Sequence, residues 1–298
     1  MERRETVGLI GIGLVGTALA ENLLAAGYEV IGFARSEASR AKLARLGGWA
    51  AASSREIGQA AERVILSLPD SDVVEEVVLG PGGLLGSSSK VRLILDTTTG
   101  DPERSEALAR RLAAQGIPIL DAPISGSSEQ IRQRQGVFLV GGDRAAYEAC
   151  LDLITCLSGK YYHLGASGAG PRAKLASNLI LGLNRLVLAE GLVFAERLGL
   201  DLPAFLAMLK TTPAYSCAMD VKGQKMLQGD FAPVSKVSQH HKDLQIILEY
   251  AERAGQELPL AALHARLLEQ LMAAGEGELD TSAVLLALRR LRRGGAGG

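Results

Sequence analysis

The sequence predicts an α/β protein: an N-terminal doubly wound, largely parallel sheet followed by an all-helical C-terminal domain. Three observations carry this. From Thr6 to about Leu164, mostly apolar strand-like runs alternate with helical stretches of about 10 to 15 residues. The first two strands are joined through a GxGxxG turn and a helix. Beyond the glycine-rich segment 165–170 the pattern turns helical, with no convincing strand.

The elements follow in order. Thr6–Ile10 is a short apolar strand, and the turn Gly11-Ile12-Gly13-Leu14-Val15-Gly16 opens a helix to about Ala26. Tyr28 to Phe33 is the second strand, and later strands are expected at 64–68, 92–96, 118–121, 137–140 and 161–164. Pro171 suits a helix start, and a helical pattern of about 28 residues, roughly 42 Å, runs to Gly199. Further helices are expected near 203–210, 218–228, 236–254, 259–274 and 281–292. The expected organisation is a first domain over 1–166 and a helical domain over 167–298, with a long interdomain helix about 171–198 and a hinge at 165–170.

The turn states a chemistry. In a strand–turn–helix frame the first glycine permits the tight turn and the second lets the backbone approach a pyrophosphate. The third lets helix and strand pack closely, while the helix N-terminus offers amides and a positive dipole end. The first domain is therefore expected to be a Rossmann-type dinucleotide site, with Gly11, Ile12, Gly13, Leu14, Val15 and Gly16 holding the cofactor. At the end of the second strand, where NAD-binding folds place an Asp or Glu, stands Ala34-Arg35-Ser36. A guanidinium and a hydroxyl there suit a 2′-phosphate, so NADP (NADPH) is expected over NAD, unless Glu37 turns back to the ribose.

The chain has 298 residues, 47% of them hydrophobic, enough for two cores, and a net charge of −1 that points to neither nucleic acid nor a membrane surface. The basic run Arg289-Arg290-Leu291-Arg292-Arg293 fits a helix C-terminus followed by a glycine-rich tail. The charged opening before Thr6 does not fit a signal peptide. Cys150, Cys156 and Cys217 read as buried, reduced thiols of a cytoplasmic protein, and no metal-ligand spacing is present. Leu175 to Leu200 is apolar, but Asn178, Arg185, Glu190, Glu196 and Arg197 interrupt it, so it reads as a soluble helix buried on most sides.

On that helix Lys174, Asn178, Leu181 and Arg185 share one face. Lys174 and Asn178 occupy its first turns, beside the hinge and any cleft there. A half-buried lysine can give a proton to an alkoxide, or take one in the reverse direction, and an asparagine one turn on can hold a substrate oxygen. From spacing alone a solvated lysine near a helix N-terminus is the stronger reading.

Over nearly its whole length the chain resembles the β-hydroxyacid dehydrogenase family, which includes 3-hydroxyisobutyrate dehydrogenases and tartronate semialdehyde reductases. The resemblance runs through Gly8 to Gly16, Leu68-Pro69-Asp70-Ser71, Asp96-Thr97-Thr98-Thr99 and Asp121-Ala122-Pro123-Ile124-Ser125-Gly126. It continues through Gly168-Ala169-Gly170 with Lys174 and Asn178, then Lys242-Asp243-Leu244, Gly275-Glu276-Gly277 and Asp280-Thr281-Ser282-Ala283. It implies Lys174 as proton donor and acceptor, with Asn178 positioning substrate. It implies that Ser125 and Gly126 bind a substrate carboxylate, that Leu68, Pro69 and Thr99 line the cofactor, and that Lys242 reaches the nicotinamide.

The chain departs from the family pattern in places. Ser127 replaces a second glycine after Ser125-Gly126, and the polar loop 128–135 is longer than the family's. Ser177 stands for the first of paired asparagines, and Ser235 for an aromatic residue. Lys236, His240, His241 and Lys242 suggest either a polar pocket, and hence a larger or more polar acid, or equally a solvated basic helix face.

The resulting expectation is an NADP-dependent oxidoreductase interconverting a small β-hydroxyacid and its semialdehyde or keto acid. A homodimer or homotetramer is expected, because one small helical domain has little surface to bury the long apolar helix. Two other readings stay open. One is an imine reductase-like enzyme, although such enzymes usually lack the lysine. The other is a non-catalytic dinucleotide-binding protein.

Overall fold

The computed structural model describes residues 5–291. The outer arginines of the basic run, Arg292 and Arg293, and the glycine-rich tail lie outside the described residues. The chain forms two compact units that divide between Lys174 and Leu175.

The first unit is built on a sheet of strands β1 (Thr6–Ile10), β2 (Glu29–Phe33), β3 (Trp49–Ala50), β4 (Arg63–Leu66), β5 (Leu93–Asp96), β6 (Ile119–Asp121), β7 (Ile124–Ser125), β8 (Val137–Gly141) and β9 (Lys160–Gly165). Their order is β3-β2-β1-β4-β5-β6-β8-β7, with β9 paired to β8. The strands from β3 to β6 are parallel, whereas β8 runs antiparallel to β6 and β7, and β9 is parallel to β8. Val7, Leu9, Ile65 and Leu95 fill one core and Ile10, Val64, Leu66 and Ile94 another, so alternate residues of the same strands feed two layers.

Three features differ from the sequence reading. Strands β3 and β7, of two residues each, were not expected, being too short to show a period. The stretch read as a loop over 128–135 contains a helix, Ser128–Arg132. It is started by a capping box in which Ser127 and Gln130 satisfy each other's backbone amides. The segment read as a hinge is shorter, because Gly165 ends β9 and Ala169 already opens the long helix.

The second unit is helical: the greater part of Ala169–Arg197, then Leu202–Leu209, a π-turn Met219–Gly223 running into Gln224–Gln228, Val237–Arg253, Pro259–Ala273 and Val284–Arg290. Leu186, Leu188, Ala189 and Leu192 bury one side of the long helix against Leu244, Leu268 and Leu285. Ile180, Val187 and Phe194 on that helix are exposed, so it is not buried on most sides as expected. It is long and apolar enough to cross a membrane by length and composition, with a mean hydropathy of 1.5 over its most apolar window, but it serves as a core helix of this unit. At the heart of the unit the Asp280 carboxylate, fully buried, accepts from Lys222 Nζ at 2.7 and 2.8 Å and from the amides of Val234, Ser235 and Ser282. Cys150 is buried and Cys156 half-buried, but Cys217 is exposed, contrary to the reading of all three as buried.

Candidate active site

The GxGxxG turn is shaped by the fold at two of its three glycines. Gly11 has φ +98°, a left-handed conformation, and a Cβ on it would overlap the carbonyl oxygen of Ser67 at the end of β4. A Cβ on Gly16 would overlap the Gly11 carbonyl oxygen, so only glycine lets helix α1 (Leu14–Ala25) begin this close to the turn. Gly13 is different: a Cβ there would meet nothing within 4 Å. The fold does not require glycine at this position, but a ligand pressed against the backbone would. Gly13 is also the N-cap of α1, and no side chain caps the helix there. The first amides of α1 thus face outward with the dipole's positive end, as a phosphate requires.

These residues open on a cavity of about 560 Å³ lined by Gly11, Ile12, Gly13, Arg35, Ser36, Leu68 and Pro69, among others. The Leu68 amide is held by Thr98 Oγ1 at 3.1 Å. Arg35 and Ser36 are exposed at the end of β2, with Ser39 one turn on in the lining. Arg40, which the sequence reading missed, donates to the carbonyls of Ala34 and Arg35 at 2.7 and 3.0 Å and so fixes the backbone that presents Arg35. Glu37 opens the next helix, and the carboxylate in the lining is instead Glu76. Leu14, Val15, Gly16 and Thr99 are not lining residues: Leu14 and Thr99 are exposed, and Gly16 is buried in packing. The residues present fit a dinucleotide: bare backbone and uncapped helix amides at Gly13, and a guanidinium and hydroxyls at Arg35, Ser36 and Ser39 in the lining.

A second feature lies beyond β6. Asp121, at its end, is buried, and its carboxylate accepts from the amide of Gly168 at 2.6 Å and of Gly170 at 2.8 Å. Three residues later the carbonyl of Ile124 accepts a 2.8 Å hydrogen bond from Lys174 Nζ. Ile124 is followed at once by half-buried Ser125 and by Gly126, whose φ of +148° turns the chain. The structure therefore brings Lys174, Ser125 and Gly126 together within the first unit. Burial raises the Asp121 carboxyl to about 6, opposed by the two glycine amides, and raises its register partner Asp96 on β5 to about 7.

The remaining expected residues belong to the second unit. Asn178 is half-buried, one turn after Lys174 on the helix, and Lys242 is exposed on Val237–Arg253. Arg185 is half-buried, and burial lowers its guanidinium pKa. Lys236, His240, His241 and Lys242 occupy different surroundings within the second unit. His240 is buried with its ring 5.1 Å from that of His264, packed on the bare backbone of Gly182. Lys236 pairs with Glu278, and His241 lies between Gln245 and Glu269. Helical period separates His240, His241 and Lys242 around the axis, and Lys236 stands at the N-cap. Among the described residues no three His, Cys, Asp or Glu side chains are grouped to hold a metal.

Comparison with known proteins bears on both halves. A family model described as the NAD binding domain of 6-phosphogluconate dehydrogenase matches residues 6–165. One described as NAD-binding of NADP-dependent 3-hydroxyisobutyrate dehydrogenase matches residues 168–288. The chain is 32% identical to the 2-(hydroxymethyl)glutarate dehydrogenase of Eubacterium barkeri, covering 96% of this chain and 95% of that one. It is also 32% identical to the 2-hydroxy-3-oxopropionate reductase of Escherichia coli, covering 95% and 96%. The solved structure of a Mycobacterium tuberculosis 3-hydroxyisobutyrate dehydrogenase with L-serine superposes with a TM-score of 0.85 at 26% identity, covering 96% of this chain and 100% of that one.

Proposed function

The chain belongs to the β-hydroxyacid dehydrogenase family, and from that premise we propose that it reduces a small semialdehyde or keto acid to the β-hydroxyacid, and the reverse, with NADPH as preferred cofactor. It is an NAD(P)-dependent oxidoreductase acting on a small carboxylic acid. The proposal adds the cofactor preference, the acid and the place of the substrate carboxylate.

The observation that carries it is the 2.8 Å hydrogen bond from Lys174 Nζ to the carbonyl of Ile124, the residue before Ser125. A proton donor and a hydroxyl suited to a carboxylate are thereby one residue apart along a strand. In a 3-oxo acid the carbonyl oxygen is close to its carboxylate, so a substrate held at Ser125 and Gly126 presents that oxygen to the ammonium. A bound nicotinamide dinucleotide supplies the hydride. As the carbonyl carbon is reduced, Lys174 gives a proton to the oxygen and is reprotonated from water; oxidation runs the same transfer backwards. Asn178, one turn on, is assigned to substrate positioning, and Lys242 to the nicotinamide end. Arg35 and Ser36 in the cavity lining support the preference for NADPH, since a guanidinium favours a phosphate there and a carboxylate would repel it. Ile180, Val187 and Phe194, at seven-residue intervals and exposed, support a homodimer or homotetramer; sedimentation as a monomer at micromolar concentration would overturn that part.

The test is an absorbance screen of NADPH and NADH oxidation across semialdehydes and keto acids. Turnover of at least one such acid with a clear NADPH preference is expected. NADPH binding with no turnover across the panel would instead favour a non-catalytic dinucleotide-binding protein.

A further inference from the structure

We propose that Asp121 is a positioning residue for the proton transfer: its buried carboxylate locks the first turn of the helix that carries Lys174 and so sets where the ammonium stands beside Ser125. This rests on the reading of Lys174 as the acid.

The geometry is that of a two-point clamp. One carboxylate oxygen takes the Gly168 amide and the other the Gly170 amide. These belong to the set of amides at a helix start that have no partner within the helix. Lys174 lies one turn beyond Gly170, and its Nζ returns to the carbonyl of Ile124. The same short segment, Asp121 to Ile124, thus holds the helix start by a side chain and the ammonium by a backbone oxygen. Pro123 inside it has a fixed φ, so the spacing between the two points is stiff.

The clamp has little slack. A Cβ on Gly170 would come within 2.6 Å of Asp121 Oδ1, and one on Gly141 would overlap the same oxygen. Two bare backbones therefore close on the carboxylate from β8 and from the helix. On the outer side of the turn Arg172 pairs with Glu106 at 2.5 Å, which holds the helix start against rotation. Asp121 touches neither Lys174 nor Ser125 in any of these bonds, so its effect is transmitted through the turn.

Asp121→Asn tests this, because the amide fills the same space but offers a donor where one glycine amide needs an acceptor. Turnover is measured per NADPH-binding site, so that unfolded protein does not count. The expected result is a kcat lower by about tenfold or more, with the KM of the acid and the Kd of NADPH within about threefold of the parent. The solvent deuterium isotope effect on kcat should rise, because proton transfer from a displaced amine becomes slower relative to other steps. If Asp121→Asn does not fold, Asp121→Ser is assayed in the same way, with the same expectation. A kcat within about twofold of the parent, or equal factors lost in kcat, KM and Kd, would overturn the proposal. Lys174→Ala is run beside it: retained turnover there defeats the reading of the lysine, whereas its loss with an unaffected Asp121→Asn defeats the clamp alone.

Discussion

Alanine at Gly13 and at Gly16 should give opposite phenotypes, which tests whether the GxGxxG turn is built for a ligand or only for packing. At Gly13 the backbone is extended, with φ −82°, a conformation open to any residue, and a Cβ would meet nothing within 4 Å. Gly13→Ala should leave stability within about 1 kcal/mol of the parent, or raise it slightly through loss of unfolded-state entropy. The added methyl stands at the uncapped start of α1, where a pyrophosphate must approach the amides. Pushing an anion away from a helix N-terminus forfeits about 1–2 kcal/mol of dipole and hydrogen-bond energy, so the Kd of NADPH should rise about fivefold to thirtyfold. At Gly16 the methyl would overlap the Gly11 carbonyl oxygen, a backbone atom and not a flexible side chain able to yield. Gly16→Ala should lower stability by about 2 kcal/mol or more as well as binding. The assays are thermal melting and fluorescence titration with NADPH. Undiminished NADPH affinity in a well-folded Gly13→Ala would refute the placement of the pyrophosphate.

Three more predictions follow from the charges. Arg35→Ala should lower the NADPH-to-NADH preference by about tenfold to a hundredfold: an exposed guanidinium about 4 Å from a nearly dianionic phosphate contributes about 2 kcal/mol, and NADH kinetics should hardly change. In the second unit, Asp280→Ala strands the Lys222 ammonium and three amides and should lower stability by about 3–5 kcal/mol in urea unfolding. Burial holds His240 down at about 3 and His264 at about 4, against about 6.5 in the unfolded chain. Between pH 6.5 and 4 the unfolded state thus binds protons that the folded state does not, and these two groups cost the second unit stability as pH falls. Asp96 and Asp121 are raised to about 7 and about 6, so in the first unit the folded state binds the extra protons over that window and gains stability. Hydrogen exchange, corrected for the intrinsic pH effect, should therefore show helix Pro259–Ala273 losing protection from pH 7 to 5 relative to β5 and β6.

The features legible in the sequence were those written locally. Alternating apolar runs marked the parallel strands, the glycine spacing marked the cradle, and 3.6-residue periodicity marked the helices from Leu202 to Ala273. What stayed hidden depends on long-range pairing. Strands β3 and β7 have two residues each and exist only because neighbours offer hydrogen bonds. The clamp joins residues 47 and 49 positions apart, so Asp121 in isolation is one more aspartate after a strand. His240 and Lys242 are two residues apart, yet the first enters the core and the second faces outward, because Gly182 leaves room for a ring on one side. The capping box at Ser127 and Gln130 is local, a serine followed three residues later by a glutamine, but the mostly polar residues around it lack the apolar period that marks a helix.

The central claim is that Lys174 carries the proton, and single-site removal of its amine tests it most directly. In Lys174→Ala, kcat for the best semialdehyde should fall by about a thousandfold or more while the Kd of NADPH stays within about threefold of the parent. Turnover within about tenfold of the parent, with NADPH bound normally, would contradict the account.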